Sequence, residues 1–172
     1  MTGARPEAAP RSRIELSGPP DPRDLDGDFG HRHRVAVRFG DTDAMGHVNN
    51  AAYLTYAEAG RLAWWRAVSG QPIPRDRHRD EGLILAEANV AFRSPVMFGE
   101  EVDVETRATR LGRTSVAVDH RMTATAPDGS VRLVAIVRSV MVRYDYAAAR
   151  PTPWADALVA RIEAFEGRPL RD

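Results

Sequence analysis

An α+β fold, with one long central helix wrapped by a curved antiparallel sheet of about five strands, is what this 172-residue sequence predicts. Three observations lead there. Residues 51–69 carry apolar side chains at helical spacing around most of the circumference, as an enclosed helix does. A run of period-2 alternation precedes that helix. Four strand-like runs follow it in unbroken succession, and strands with a segregated helix give an α+β layer rather than a parallel α/β sheet.

In chain order, residues 1–30 hold five prolines, several glycines and charges of both signs, so little apolar area is available to offset ordering entropy. A flexible N-terminal extension is expected there, with a single domain over 31–168. HRHRVAVRF (31–39) alternates: His33, Val35, Val37 and Phe39 share one face, and Arg32, Arg34 and Arg38 the other. Asn49 or Asn50 is a good N-cap, and Gly70 stands where a helix-ending glycine belongs, with Pro72 and Pro74 beyond it. Tyr53, Ala57, Gly60, Trp64 and Val68 form one stripe; Leu54, Tyr56, Leu62 and Trp65 extend apolar surface to other faces.

A charged, proline-containing loop is expected over 71–82. Strands are expected over 83–93, 101–111, 114–125 and 131–144, with tight connections at Leu111-Gly112-Arg113 and Pro127-Asp128-Gly129. The clean alternation from Glu101 to Glu105 predicts one wet face. The run from Val131 to Val142 is apolar on both faces in its middle, which predicts a central strand. Leu158, Ile162 and Phe165 give a short closing helix on the rim. A single layer leaves strand edges open, so a homodimer or homotetramer that continues the sheet is expected.

Lys plus Arg and Asp plus Glu number 24 each, so the net charge is zero and gives no electrostatic reason for a nucleic-acid or membrane partner. With no cysteine, disulfides, thiolate metal sites and cysteine nucleophiles are excluded. No apolar run approaches the roughly 20 residues of a membrane span, and the N-terminus lacks a secretory apolar region, so a cytoplasmic location is expected. Neither a serine elbow, a P-loop nor a dinucleotide glycine fingerprint occurs.

The chemistry-bearing stretch runs from Phe39 to Arg66. Asp41 and Asp43 follow the first strand, a Gly46-His47 turn comes next, and the helix then opens. A turn should splay the two carboxylates. Aspartates in turns commonly bond nearby backbone N–H groups, and that reading stands beside a chemical one. The unpaired N–H groups of a helix mouth hold developing negative charge, and a carboxylate beside them attacks a carbonyl or activates water. His47 is a base or a rim residue; Asn49 and Asn50 cap the helix or orient water. Glu58, two turns in among apolar neighbours, is a second carboxylate, with Arg61 and Arg93 as ion-pair partners.

VRFGDTDAMGHVNNAAYLTYAEAGRLAWWR (37–66) closely resembles the opening of hotdog-fold acyl-CoA thioesterases of the 4-hydroxybenzoyl-CoA thioesterase type. ANVAFRSPVMFGEEVDVETRATRLGRTSVAVDHRM (88–122) resembles their paired strands with a Pro-x-x-x-Gly-Glu turn, and RPTPWADALVARIEAFEG (150–167) resembles the ending of bacterial members. The likeness spans about residues 33–167. It implies hydrolysis of an acyl-CoA or acyl-carrier-protein thioester, with no cofactor beyond the CoA of the substrate and no metal. Asp43 takes the position of the catalytic carboxylate, and the backbone N–H near Asn50 that of the oxyanion donor. Glu58 is held in reserve, since other branches place the essential carboxylate on the central helix. His47, Asn49, Arg93, Arg113 and Ser115 are the implied substrate-binding residues, the active site lying at a dimer interface. His47-Val48-Asn49 replaces the aromatic-rich turn of the 4-hydroxybenzoyl branch, so the acyl group is not carried over. The alternative is a hotdog domain that binds an acyl thioester without cleaving it. A hotdog hydratase would need an Asp-x-Asn-Pro-x-His-like stretch, which this chain lacks.

Overall fold

The computed structural model describes residues 14, 16, 18, 20–70 and 81–171. Its elements are β1 (His31–Ala36), α1 (Asn50–Ser69), β2 (Glu81–Phe92), β3 (Glu101–Leu111), β4 (Ser115–Thr125), β5 (Val131–Asp145), β6 (Arg150–Pro151) and α2 (Asp156–Glu166). Short 3₁₀ turns lie at Pro22–Leu25 and Phe39–Asp41. The strands form one antiparallel sheet in the order β1-β3-β4-β5-β2, with β6 added on β5. The loop expected over 71–82 lies outside the described residues, except that Glu81 and Gly82 already belong to β2.

α1 crosses the sheet on the face that β3 presents through Val102, Val104 and Thr106, and β4 through Val118, His120 and Met122. Gly60 sits at the closest approach. A Cβ there would stand 2.5 Å from Val104 Cγ1 and 3.2 Å from Thr106 Oγ1, so glycine is what lets helix and sheet meet. Asn49 caps the start, its Oδ1 accepting from Ala51 N–H at 2.9 Å. Gly70 ends the helix in the left-handed region, φ 65°, its N–H donating to Arg66 O. The stripe read from the sequence, Tyr53, Ala57, Gly60, Trp64 and Val68, is the buried one. The helix is not enclosed all round: Leu54 is 43% exposed and Glu58 is exposed, because that flank looks towards β2, one of the two edge strands of the sheet. α2 packs on α1 and β3 (Trp64 Nε1 donates to Glu166 Oε1 at 2.9 Å).

β5 lies between β4 and β2, inside the sheet as its two-faced apolar pattern predicts. Two expectations about the strands fail. β1 stops at Ala36, and Phe39, placed by alternation on the buried face, is 78% exposed because the 3₁₀ turn rotates it outward. Asp103, expected on a wet face, is 3% exposed: Arg32 and Arg34 close over it as ion pairs, and β1 is the strand that carries them.

The face of the sheet opposite α1 is covered by chain that the sequence led us to expect as free extension. Ile14 is buried against Ala117 and Val140, and its N–H donates to Ser115 Oγ at 3.3 Å. Leu25 is buried as well. Phe29 lies between the guanidinium groups of Arg107 and Arg121, at 4.5 and 4.6 Å from its ring centre. Composition argued for disorder because it counts apolar residues without knowing that a sheet face stands ready for the few there are. Residues 1–13 of that extension fall outside the described residues.

Candidate active site

The site is a hairpin that feeds the helix. Asn49 N–H donates to Asp41 O, Asp43 N–H to His47 O, and Gly46 N–H to Asp43 O, so residues 41–49 fold back on themselves around Gly46 at φ 79°. A second loop, 94–100, holds this hairpin from the side: Val48 N–H donates to Val96 O, and His47 bridges Met97. That loop is fixed in turn by Glu100, 6% exposed, which takes Met97 N–H and both Arg132 guanidinium nitrogens. The guanidinium hydrogen bonds hold the Glu100 carboxyl below its usual range, against the opposing effect of burial.

The two aspartates part company here. Asp41 turns inward. Burial alone would raise its pKa, but the Arg38 N–H, the Tyr56 hydroxyl at 2.9 Å and the Arg38 guanidinium outweigh that and hold it below the usual value. It ties the strand end to the helix as a stable carboxylate. Asp43 stays exposed. Its Oδ1 accepts from Met45 N–H at 2.9 Å, the turn bond that aspartates often make, and its Oδ2 has no partner among the described residues. Seven residues further along the chain, the Asn50 N–H opens α1 and meets no acceptor among the described residues, since the Asn49 carboxamide turns to Ala51 instead. The hairpin thus carries a free carboxylate oxygen near its turn, where Asp43 faces His47, and leads past the Asp41–Asn49 pair to a free helix-mouth N–H, where helix dipole and unpaired donor favour negative charge.

The remaining residues divide. His47 is half-buried in the hairpin, and Asn49 is spent on capping. Arg93 lies at the same end of the sheet, but its guanidinium donates to Pro20 O on the opposite face. Arg113 and Ser115 flank the turn between β3 and β4. This turn is beyond the C-terminal end of α1, roughly 30 Å from Asp43 along a 20-residue helix. Ser115 is 0% exposed beneath Ile14, which corrects its expected place on a ligand-facing rim. Arg113 is exposed on a hollow of about 490 Å³ with Trp154, Asp156 and Arg171. Glu58 is exposed, not buried, and Arg61 is the buried member of that pair. Sequence reasoning missed Tyr56 and Glu100, the two residues that set the walls of the site. The Pro-x-x-x-Gly-Glu spacing marks Glu100, but its arginine partner is 32 residues away.

No group of three or more His, Asp or Glu able to hold a metal occurs among the described residues. No described helix is long and apolar enough to cross a membrane.

Residues 37–162 match the model of the thioesterase-like superfamily. A 1,4-dihydroxy-2-naphthoyl-CoA hydrolase of Synechococcus elongatus is 32% identical over 96 residues, 54% of this chain and 68% of that protein. An acyl-acyl carrier protein thioesterase of Arabidopsis thaliana is 28% identical over 120 residues, 67% of this chain and 63% of that protein. Among solved structures, a Thermus thermophilus thioesterase complexed with coenzyme A and Zn superposes with a TM-score of 0.68 at 34% identity, covering 83% of this chain and 98% of that one. With the sheet packed on α1 and the family match spanning the hairpin and the strands alike, this chain belongs to the thioesterase-like superfamily and is a thioester hydrolase of the hotdog fold.

Proposed function

We propose that the protein hydrolyses an acyl-CoA with Asp43 as the catalytic carboxylate and the Asn50 N–H as the oxyanion donor. The observation that carries the reading is the free Asp43 Oδ2 on the hairpin that leads into the unpaired N–H opening α1. The thioester carbonyl accepts from Asn50 N–H. Asp43 either attacks the carbonyl carbon, giving a mixed anhydride that water then opens, or takes the proton of an attacking water. In both routes the carbon–sulfur bond breaks and the electron pair leaves with the CoA sulfur, a good leaving group that needs no strong acid. Single turnover in ¹⁸O-water identifies the anhydride route where water opens the anhydride at the Asp43 carboxyl carbon and leaves label in Asp43, whereas the general-base route sends all label to the released acid.

CoA is favoured by the hydrolase from Synechococcus and by the coenzyme A in the Thermus structure. The carrier-protein alternative rests on the Arabidopsis relative. We place the reaction in a homodimer that continues the sheet through β2, whose outer edge is unpaired among the described residues. Antiparallel pairing of that edge brings the far end of the partner, where Arg113 lies, towards Asp43. Arg113 then serves the CoA phosphates from across the interface, and His47 and Asn49 line the near side. No cofactor enters, and the cytoplasm is the assigned location.

The test is thiol release from a panel of short, long, branched and aromatic acyl-CoAs and an acyl-carrier protein. Asp43→Asn should lose most of kcat with little change in KM, by about 10²-fold or more. Turnover retained by that variant overturns the assignment of Asp43.

A further inference from the structure

Arg61 is a buried cation that the single chain leaves unpaired. It is 9% exposed on the α1 helix, and acts electrostatically on His120, whose ring is fully buried and bonded to Thr106 Oγ1 at 3.0 Å. It makes no hydrogen bond or ion pair within 4 Å to any described residue. Burial lowers its pKa, and the opposing influence is Glu58, three residues earlier and exposed. Spacing of three residues permits an ion pair on one helix, yet Glu58 and Arg61 interact only at longer range. The stem of Arg61 is buried while its guanidinium nitrogens still reach solvent, so the single chain presents a largely covered cation whose carboxylate partner can come from outside the chain.

The open flank of the helix shows where the missing charge comes from. Leu54, Glu58, Arg61 and Trp65 form one stripe on the side towards β2. Leu85 and Phe92, 46% and 47% exposed, both project from the helix side of β2, since they pair with Met141 and Ala135. Two copies of β2 paired antiparallel about Asn89 set Leu85 against the partner's Phe92. Arg61 is level with that point: His120 registers with Val137, which registers with Val90, and neighbouring Ser139 registers with Ala88. A two-fold axis there brings two antiparallel α1 helices face to face, with Glu58 and Arg61 on either side of the axis.

We propose that Glu58 of each protomer pairs with Arg61 of its partner, a reciprocal ion pair that completes the buried charge and sets the dimer register. The proposal rests on the dimer of the preceding section. It gives Glu58 an interface role in place of the reserve catalytic one, and it makes the two active-site helices hold each other.

The test uses the full chain carrying Glu58→Gln or Arg61→Gln, neutral changes that leave no new buried charge. Either variant alone should raise the dimer dissociation constant by roughly a hundredfold, read by sedimentation equilibrium. Mixing the two should restore association. A heterodimer keeps one intact pair, from the Arg61→Gln chain's glutamate to the Glu58→Gln chain's arginine, and leaves the other pair neutral on both sides. Preference for the heterodimer over both homodimers supports pairing between chains. Absence of that preference, from a wild type that is a stable dimer, overturns the pairing and leaves the dimer standing. A wild type that stays monomeric overturns both. Circular dichroism melts of each variant show that a lost dimer is not a lost fold.

Discussion

Replacing Asn50 by proline would remove one N–H and change little else, which makes it the sharpest test of the oxyanion donor. Asn50 is the first helical residue, where proline is well tolerated, and Asn49 before it already has φ −59° and ψ 140°, the conformation that proline demands of its predecessor. Asn50→Pro should therefore keep its melting temperature within a few degrees and lose about 10²–10³ in kcat. His120 offers a second test at this scale. Burial, with a smaller contribution from the Arg61 charge, pushes its pKa down to about 3 from 6.5. Above pH 6.5 the imidazole is neutral in both folded and unfolded chains and has no effect on the balance. Below it the unfolded chain takes up a proton that the folded chain refuses until about pH 3. Stability is thus lost as pH falls through that window, by roughly 1 kcal/mol per unit from this group. His31, its pKa also lowered by burial, adds in the same direction. His120→Gln should flatten the dependence of melting temperature on pH between 6.5 and about 4.5, where ordinary carboxylates remain largely ionised. An unchanged slope would remove His120 as its source.

At the scale of elements, the contact between α1 and β3 is set by Gly60. Gly60→Ala gains about 1 kcal/mol of helix propensity but drives a methyl group into Val104. The β-branched Val104 is fully buried and has no room to turn, so a net loss of about 1–2 kcal/mol is expected in urea unfolding. The same glycine was legible in the sequence only as one member of a helical stripe. Its partner lies 44 positions on, and no local pattern names it. The hairpin before α1 was more legible, because caps, turns and strand alternation are local. Asn49 caps and Gly46 turns where the sequence places them. Phe39 was misread for a local reason as well: alternation continues on paper past the point where a 3₁₀ turn ends the strand.

For the molecule as a whole, the covering of the outer face is the feature that composition concealed. Arg107 and Arg121 clasp Phe29, Arg107 Nη1 donates to Asp26 O, and Leu25 is 5% exposed. Leu25→Asp should detach this segment. Tryptic cleavage at the exposed Arg23 should then accelerate at least about tenfold. Equal cleavage rates in both proteins would mean that the segment is not held by its buried side chains.

The sequence alone determined the order of elements, the ends of α1 and the hairpin that carries Asp43 and leads into α1 at Asn50. Each follows from periodicity, capping and turn chemistry, which act over a few residues. The tertiary structure decided the rest. Strand order put β2 at an edge and carried Arg113 and Ser115 to the far end of the sheet. Register closed Arg32 and Arg34 over Asp103, and helix placement buried Arg61 while leaving Glu58 in water. Those outcomes depend on contacts between residues tens of positions apart, and local spacing carries no record of which distant strand a side chain will meet.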